Sequence, residues 1–156
     1  MSYPKAAVEA AFQLLPVVMD TPIARVILAA IGFQESGYLV RIQYGNGPAR
    51  SYWQFESGRL AGINGVLTHR ASAKLAATVC KARGVEPERM AVWKAMEADD
   101  VLGAAFARLL MYTDPFQLPD NSADAWEMYA KRLWRPGKPH PDKWPLSWAF
   151  GLERAN

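Results

Sequence analysis

The sequence of 156 residues contains one cysteine, Cys80, and only two histidines. A single cysteine cannot form a disulfide within the chain, so a disulfide-stapled scaffold is excluded. Cys80 follows alanines at helical spacing, and we expect it to be a small core residue rather than a nucleophile. His69 and His140 lie far apart with no partner at ligand spacing, so the sequence indicates no zinc site. We expect no metal and no cofactor.

Long apolar runs and an export signal are also missing. The opening sequence MSYPKAAVEAAFQLLPVVMD lacks the charged-then-apolar order of a secretory signal, and Pro16 interrupts its apolar run. No segment approaches the ~18 consecutive apolar residues of a membrane-spanning helix. We therefore expect synthesis in the cytoplasm, no membrane span, and a separate delivery route for any action outside the cell.

The chain does contain enough apolar sequence for a folded domain. Apolar residues make up 51% of it, which argues against intrinsic disorder. The net charge is only +3, which suits an anionic partner such as nucleic acid or wall polymer without requiring one. No repeat, linker or low-complexity segment divides the sequence, so we expect residues 1–156 to form one compact domain.

Apolar residues recur at helical spacing, whereas the alternation typical of strands is almost absent. The spacing predicts a mainly α fold with little or no β-sheet. Thr21 and Pro22 have the order of a helix cap and a first helical residue, and Ser122 is predicted to cap a later helix. The predicted helices cover residues 4–15, 22–36, 61–69, 71–83, 87–94, 98–112 and 122–133, and a short helix follows near the C-terminus.

The hydrophobic helix that begins at Pro22 ends in polar residues, with Glu35 among them. At about 100° per residue, Glu35 lies on the same side as Leu28 and Ile31, so its carboxyl is expected at the rim of the core. Partial burial raises the pKa of a carboxyl, which keeps it protonated and able to donate a proton near neutral pH. The helix alone leaves open the alternative of a glutamate that projects into water.

A glycine-, proline- and aromatic-rich stretch, GPARSYWQFE, follows Glu35 by fewer than twenty residues. Clefts that bind sugars combine aromatic rings with amides and hydroxyls, because pyranose rings present apolar C–H faces and a rim of hydroxyls. An aromatic run such as Tyr52 and Trp53 would equally suit a protein core. Its position soon after Glu35 favours the cleft.

These two segments resemble the soluble lytic transglycosylase and goose-type lysozyme group of the lysozyme-like superfamily, in particular phage or prophage wall-degrading proteins. In that group a helix ends in glutamate–serine, and a glycine–x–x–glycine–hydrophobic–hydrophobic–glutamine run follows. Gly47 and Gln54 stand at its first glycine and its glutamine, while Ser51 occupies the second glycine position and leaves the local turn open. The segment WEMYAKRLWRPGKPHPDKW is similar to the C-terminal segment of these proteins.

The resemblance implies a lysozyme-like domain that cleaves the β-1,4 bond between N-acetylmuramic acid and N-acetylglucosamine in peptidoglycan. Glu35 would be the catalytic acid, and Ser36 would orient its carboxyl by a hydrogen bond. Gln54 would contact the substrate, and Tyr52 and Trp53 would shape the cleft.

The resemblance also implies a tyrosine from a later helix near the glutamate. Tyr129 is the candidate and Tyr112 the second choice, although the alanine–tyrosine–asparagine–alanine–glycine run typical of the family is absent. A hydrolase of this bond usually needs two acidic groups, whereas a lytic transglycosylase uses one glutamate and forms a 1,6-anhydro sugar. We expect the single-glutamate reaction, with a muramidase as the alternative. The candidates for a second acid are Glu56, Asp114, Asp120 and Asp124.

The expected partner is therefore the peptidoglycan glycan strand, bound by a monomer, with no nucleic acid. The protein would act on the wall as an endolysin after holin-type release, or as a virion component. Two further functions stay open: an inactive wall-binding virion module, and a helical DNA-binding regulator with residues 22–40 in a helix-turn-helix. The presence of both Glu35 and Gln54 argues against the first, and the scattered basic residues argue against the second.

Overall fold

Helices account for most of the structure, as the apolar spacing predicted. The computed structural model describes residues 2–155, and the β-bridges within these residues are isolated and form no sheet. The helices are α1 (Lys5–Gln13), α2 (Pro22–Ser36), α3 (Ile63–Thr68), α4 (Ala73–Arg83), α5 (Arg89–Ala95), α6 (Asp100–Tyr112), α7 (Ser122–Trp126, which continues as a π-helical segment, Glu127–Leu133) and α8 (Trp144–Arg154). Short 3₁₀ turns cover Val17–Met19, Tyr44–Asn46 and Pro141–Lys143.

Helix α2 is the central hydrophobic helix of the molecule. The Thr21 hydroxyl oxygen accepts a hydrogen bond from the Ala24 N–H at 3.2 Å, and Pro22 is the first helical residue, so the predicted start is confirmed. Residues 27–31 of α2 have no solvent exposure. The helix packs along α8 and also contacts α6, which places its C-terminal end beside segments from both halves of the chain.

Helix α6 forms the second hydrophobic axis, with residues 102–111 all buried. Helices α1, α3 and α4 pack against it, and α5 packs against α3, so the apolar side chains of all these elements form one continuous core. Cys80 lies in this core with no exposure, as expected.

The buried guanidinium of Arg108 donates its Nε–H to the Met19 carbonyl at 2.9 Å, which gives this cation a partner inside the core. The chain is therefore one compact helical domain.

Two helix starts differ from the sequence prediction. Ser122 is the first residue of α7, and the cap is Asn121, whose side-chain oxygen accepts from the Asp124 N–H at 2.9 Å. The α5 cap is Glu88, whose carboxylate accepts from the Met90 and Ala91 N–H groups, each at 2.9 Å. Asparagine caps a helix as well as serine does, so residue type alone could not decide between Asn121 and Ser122 as the cap of α7.

A tight reversal follows α2 and directs the chain back along it. Gly37 and Tyr38 both have positive φ, at 61° and 56°, and the Tyr38 hydroxyl donates to the Ala29 carbonyl at 2.9 Å. The buried Tyr38 ring crosses Gly32, where a Cβ atom would lie 2.1 Å from the tyrosine oxygen. Glycine at position 32 therefore makes room for the reversal that ends α2 at Ser36.

Close packing of α2 on α8 depends on Gly151. A Cβ atom at this position would lie 2.4 Å from the Val26 carbonyl oxygen of α2, and backbone cannot move aside as a flexible side chain can. We expect Gly151→Ala to lower the free energy of unfolding by about 1–3 kcal/mol, as overpacking does. Urea unfolding measures the change; Gly137→Ala, which enters open space, is the control and should leave it nearly unaltered. Equal stabilities of the two variants would contradict the close contact.

Candidate active site

A cleft of about 750 Å³ opens at the C-terminal end of α2. Its walls come from the end of α2, from the loop and turn region before α3, and from the segment after α7. Polar and apolar residues share the lining in similar proportion, which suits a ligand with both hydroxyls and apolar faces. The lining includes Glu35, Ser36, Gln54, Glu56, Arg59, Tyr129, Trp134, Lys138 and Lys143.

Glu35 lies in this cleft as a partly buried residue at the rim of the core, where the helical spacing had placed it. The Tyr129 hydroxyl donates a hydrogen bond to Glu35 Oε1 at 2.6 Å. Burial raises the pKa of Glu35 to about 7, while the Tyr129 hydrogen bond and the positive charges of Lys143 and Arg59 act to lower the pKa and the charge of Glu56 acts to raise it. A substantial fraction of Glu35 is therefore protonated at neutral pH.

Tyr129 approaches Glu35 from the π-helical segment after α7, the later-helix position expected of it. Its ring stacks on Trp144 with centroids 5.4 Å apart and planes 4° from parallel, and it also packs against Trp126 and Trp134. Burial, together with the neighbouring Glu35 carboxylate, raises the pKa of the Tyr129 phenol, so the hydroxyl stays protonated and acts as a donor. The aromatic packing fixes the hydroxyl that holds the carboxyl.

The hydroxyl of Ser36 does not contact the Glu35 carboxyl, so the role expected of it is wrong. Ser36 Oγ donates to the Gly32 carbonyl at 3.1 Å and accepts from the Tyr38 N–H at 3.1 Å. These bonds satisfy backbone groups where α2 ends, which is a common use of serine near a helix terminus. Ser36 still borders the cleft, but Tyr129 is the residue that orients the carboxyl.

Tyr52 and Trp53 lie in the core and not on the cleft lining, so the expectation that they shape the cleft is also wrong. Trp53 has no exposure, and its indole N–H donates to the Leu28 carbonyl at 2.9 Å. Tyr52 is 4% exposed and packs edge-on against Tyr38. The aromatic run therefore anchors its loop to α2, which was the alternative that the sequence had left open.

The turn at Ser51 has the backbone conformation that favours glycine. Ser51 has φ of 69°, and its side-chain oxygen accepts from the Trp53 N–H at 3.0 Å. A Cβ atom on the facing Gly103 would lie 3.0 Å from the Ser51 Cβ, so glycine at position 103 accommodates the serine. Gln54 also has positive φ, and its side chain borders the cleft. The side-chain amide of Gln54 donates to the Ser51 carbonyl at 2.8 Å. The turn thus directs Tyr52 and Trp53 inward and Gln54 towards the cleft.

A buried arginine in the same run holds the loop that forms one wall. Arg50 donates to the carbonyls of Gly47 and Ala49 at 2.5 and 3.0 Å and to the Glu97 carboxylate at 3.2 Å. Its guanidinium lies 4.0 Å from the centre of the Trp93 ring. Arg50 therefore serves the architecture of the cleft, a role that the sequence analysis had not assigned.

Gln34 is a second residue whose role the sequence analysis missed. Its buried side chain donates to the His140 carbonyl at 3.0 Å and accepts from the Ser147 hydroxyl at 2.7 Å. The backbone carbonyl of Gln34 lies 3.5 Å from Lys143 Nζ. A polar residue one position before Glu35 thus fastens the segment before α8 to the end of α2.

Of the four candidates for a second acid, Glu56 is the one that borders the cleft, where it pairs with Arg59 at 3.0 Å. Asp114 is buried and forms a two-point pair with Arg132, at 3.0 and 2.9 Å. Asp120 and Asp124 bond to Asn121 at the start of α7, outside the cleft lining. Tyr112, the second choice for the tyrosine, also lies outside the lining and is 44% exposed.

The structure offers neither a metal-binding cluster nor a membrane-spanning helix among the residues that it describes. Among residues 2–155, no three acidic, histidine or cysteine side chains lie together in an arrangement that could hold a metal ion. No helix within the same residues combines the length and the apolar character that crossing a membrane requires.

Comparisons of the chain with protein-family models, curated proteins and solved structures find no match.

Proposed function

We propose that the chain is a peptidoglycan lytic transglycosylase with Glu35 as its acid and base. The observation that carries the proposal is a carboxyl with a pKa near 7, held by a tyrosine hydroxyl in a cleft large enough for several sugar rings. Such a carboxyl can donate a proton at neutral pH and, once ionised, can take one back. The resemblance of FQES and GPARSYWQFE to wall-degrading proteins gives the substrate class.

The first step is protonation of the glycosidic oxygen by Glu35. The bond between C1 of N-acetylmuramic acid and that oxygen breaks, N-acetylglucosamine leaves with the proton, and the muramic acid ring becomes oxocarbenium-like. Because Oε1 accepts the hydrogen bond from the Tyr129 hydroxyl, the proton that Glu35 donates is carried by Oε2. The carboxylate that forms is stabilised by the Tyr129 hydrogen bond and by the charges of Lys143 and Arg59.

The second step returns the proton to Glu35. The ionised carboxyl removes the proton from the 6-hydroxyl of the muramic acid, and O6 attacks C1 to close a 1,6-anhydro ring. Glu35 ends the cycle protonated, and no water is consumed. One carboxyl therefore serves both steps, so the reaction needs no second acid.

A muramidase is the second candidate, because Glu56 borders the same cleft. In that reaction Glu35 would still protonate the leaving oxygen, and a second carboxylate would activate water or stabilise the oxocarbenium-like ring. The Glu56 carboxylate already forms an ion pair with Arg59. A carboxylate in an ion pair is less free to activate water, and this favours the single-glutamate reaction.

Mass spectrometry of soluble fragments released from purified peptidoglycan distinguishes the two reactions. We expect 1,6-anhydro muropeptides, each lighter than a hydrolysis product by one water, and we expect Glu56→Gln to keep the wild-type rate within a few-fold. Reducing-end muramic acid together with an inactive Glu56→Gln variant would identify a muramidase. No fragments from several wall types would reject both enzymes and favour the wall-binding module.

The biological setting follows from the same proposal. The chain would be a lysozyme-like domain of a phage endolysin or virion-associated lysin, with peptidoglycan glycan strands as its partner. It would reach the wall after holin-type release or with the virion.

A further inference from the structure

The cleft carries two lysines, and in the two-step reaction only the charge of Lys143 has a role, which is to stabilise the Glu35 carboxylate once it forms. Lys138 and Lys143 both border the cleft, and both are exposed to solvent. They lie in the proline-rich segment 135–143, between the π-helical segment after α7 and the start of α8. The segment belongs to the stretch that resembles wall-degrading proteins, and the resemblance implies no role for its lysines.

While Glu35 is protonated, no carboxylate of the cleft lining pairs with these two ammonium groups. The third cationic side chain of the lining, Arg59, is paired with Glu56 at 3.0 Å, and Glu35 is largely neutral when it is ready to act as an acid. The Lys143 ammonium has one hydrogen-bond partner among residues 2–155, the Gln34 carbonyl at 3.5 Å, while Lys138 forms no hydrogen bond or ion pair with any of these residues. A cleft with two unpaired lysines favours an anionic ligand.

The backbone that carries the lysines is held in place before any ligand binds. Gln34 accepts from Ser147 and donates to the His140 carbonyl, at 2.7 and 3.0 Å, which joins α2 to the middle of the Lys138–Lys143 stretch and to the helix α8 that follows it. Pro139 and Pro141 restrict the same stretch further. Only the two lysine side chains need to be ordered on binding, which lowers the entropic cost of the contact.

We propose that Lys138 and Lys143 bind carboxylates that the glycan carries beside the scissile bond, so that the cleft selects carboxylated over neutral β-1,4 glycans. This inference deepens the proposed function and rests on it for the identity of the sugar chain. The carboxylates have two sources in peptidoglycan: those of the peptide stem, or the lactyl carboxylate of muramic acid where the stem has been removed. Lysine suits either source, because its ammonium is a flexible point charge without the fixed geometry of arginine.

Binding to three glycans separates these sources. The probes are peptide-bearing glycan strands, amidase-stripped strands that keep only the lactyl carboxylate, and chitin oligosaccharides, which have no carboxylate. Binding is measured by calorimetry on a Glu35→Gln background, where no cleavage occurs and no charge on residue 35 responds to the lysines. We compare Lys138→Gln/Lys143→Gln with the control pair Lys74→Gln/Lys81→Gln, which removes the same charge from exposed positions of α4.

We expect the carboxylated strands to bind more tightly than chitin oligosaccharides, and the cleft double variant to weaken their binding by about 10-fold, as two exposed ion pairs allow. The α4 variant should not change it. Loss on peptide-bearing strands alone would assign the lysines to the stem, and loss on stripped strands alone would assign them to the lactyl group. Loss on both strands would mean that the lysines accept either carboxylate. Equal binding of all three probes, or equal effects of both double variants, would overturn the inference.

The binding experiment can succeed or fail separately from the test of glycan cleavage. If the wild-type chain cleaves nothing while the lysine-dependent preference for carboxylated strands is found, the transglycosylase proposal fails and the carboxylate site stands. If cleavage is found without that preference, the reverse conclusion follows.

Discussion

Glu35→Gln is expected to abolish glycan cleavage, with a loss of at least about 1,000-fold in rate, because an amide cannot donate the proton that the leaving oxygen requires. Glutamine keeps the size of the side chain, and its carbonyl oxygen can still accept the hydrogen bond that Tyr129 gives to Glu35 at 2.6 Å. The substitution therefore removes proton transfer while it preserves the packing of the cleft. Release of soluble fragments from purified peptidoglycan measures the loss.

The same substitution should make the protein more stable above neutral pH. The pKa of Glu35 is raised from 4.5 to about 7 in the folded state, chiefly by burial. Below pH 4.5 the carboxyl is protonated in both the folded and unfolded chains. Between pH 4.5 and about 7 the unfolded chain loses this proton first, so the free energy of unfolding falls as pH rises, by at most about 3 kcal/mol. Glutamine carries no charge and removes this decline.

Urea unfolding of the wild type and Glu35→Gln at pH 5 and pH 8 tests the linkage. We expect the variant to gain stability over the wild type at pH 8 and to show a much smaller gain at pH 5. Glu86→Gln, at an exposed position before α5, is the control and should show no such pH-dependent gain. Near-wild-type cleavage by Glu35→Gln would refute its role as the acid, and equal pH dependence of all three proteins would refute its raised pKa.

Tyr129→Phe is expected to slow cleavage by about 10- to 100-fold, because the carboxyl loses the bond that orients it. The phenyl ring can keep the stack on Trp144, whose centroid lies 5.4 Å away. The hydroxyl bond favours the ionised carboxyl, so its loss should raise the pKa of Glu35 further. A protonated acid then persists to higher pH, and the alkaline limb of the rate profile should move upward.

The pH profile of kcat/KM separates this positioning role from a merely structural one. A general loss of folding would lower the rate without moving the alkaline limb. Tyr112→Phe, at an exposed position outside the cleft, is the control and should match the wild type in rate and in profile. An unshifted limb with a wild-type rate for Tyr129→Phe would exclude its action on Glu35.

Local signals in the sequence predicted the position of Glu35 at the rim of the core, although they left open a glutamate that projects into water. The apolar spacing of α2, the cap at Thr21 and the proline at position 22 act within one helix, so they defined both its start and the face on which the carboxyl lies. The position of Tyr129 opposite Glu35 came from the resemblance, since no local pattern relates two residues that are 94 positions apart.

Other features of the site depend on interactions that short patterns do not contain. The inward direction of Tyr52 and Trp53 follows from positive φ at Ser51 and Gln54, residue types that rarely adopt it. The bonds of Gln34 to the segment before α8 form only in the folded chain. The π-helical segment after α7 has no sequence signature comparable to a capping residue.

The contacts of the last turn of α2 also determine at which stage of folding the site forms. Its residues 34 and 35 are bonded to Tyr129, His140 and Ser147, at separations of 94, 106 and 113 positions. During synthesis α2 leaves the ribosome long before these partners, and contacts across so much chain are among the slowest to form. Until they form, Glu35 is an ordinary hydrated carboxylate. A nascent or partly folded chain therefore lacks the protonated acid, which the molecule acquires only when its C-terminal third docks on α2.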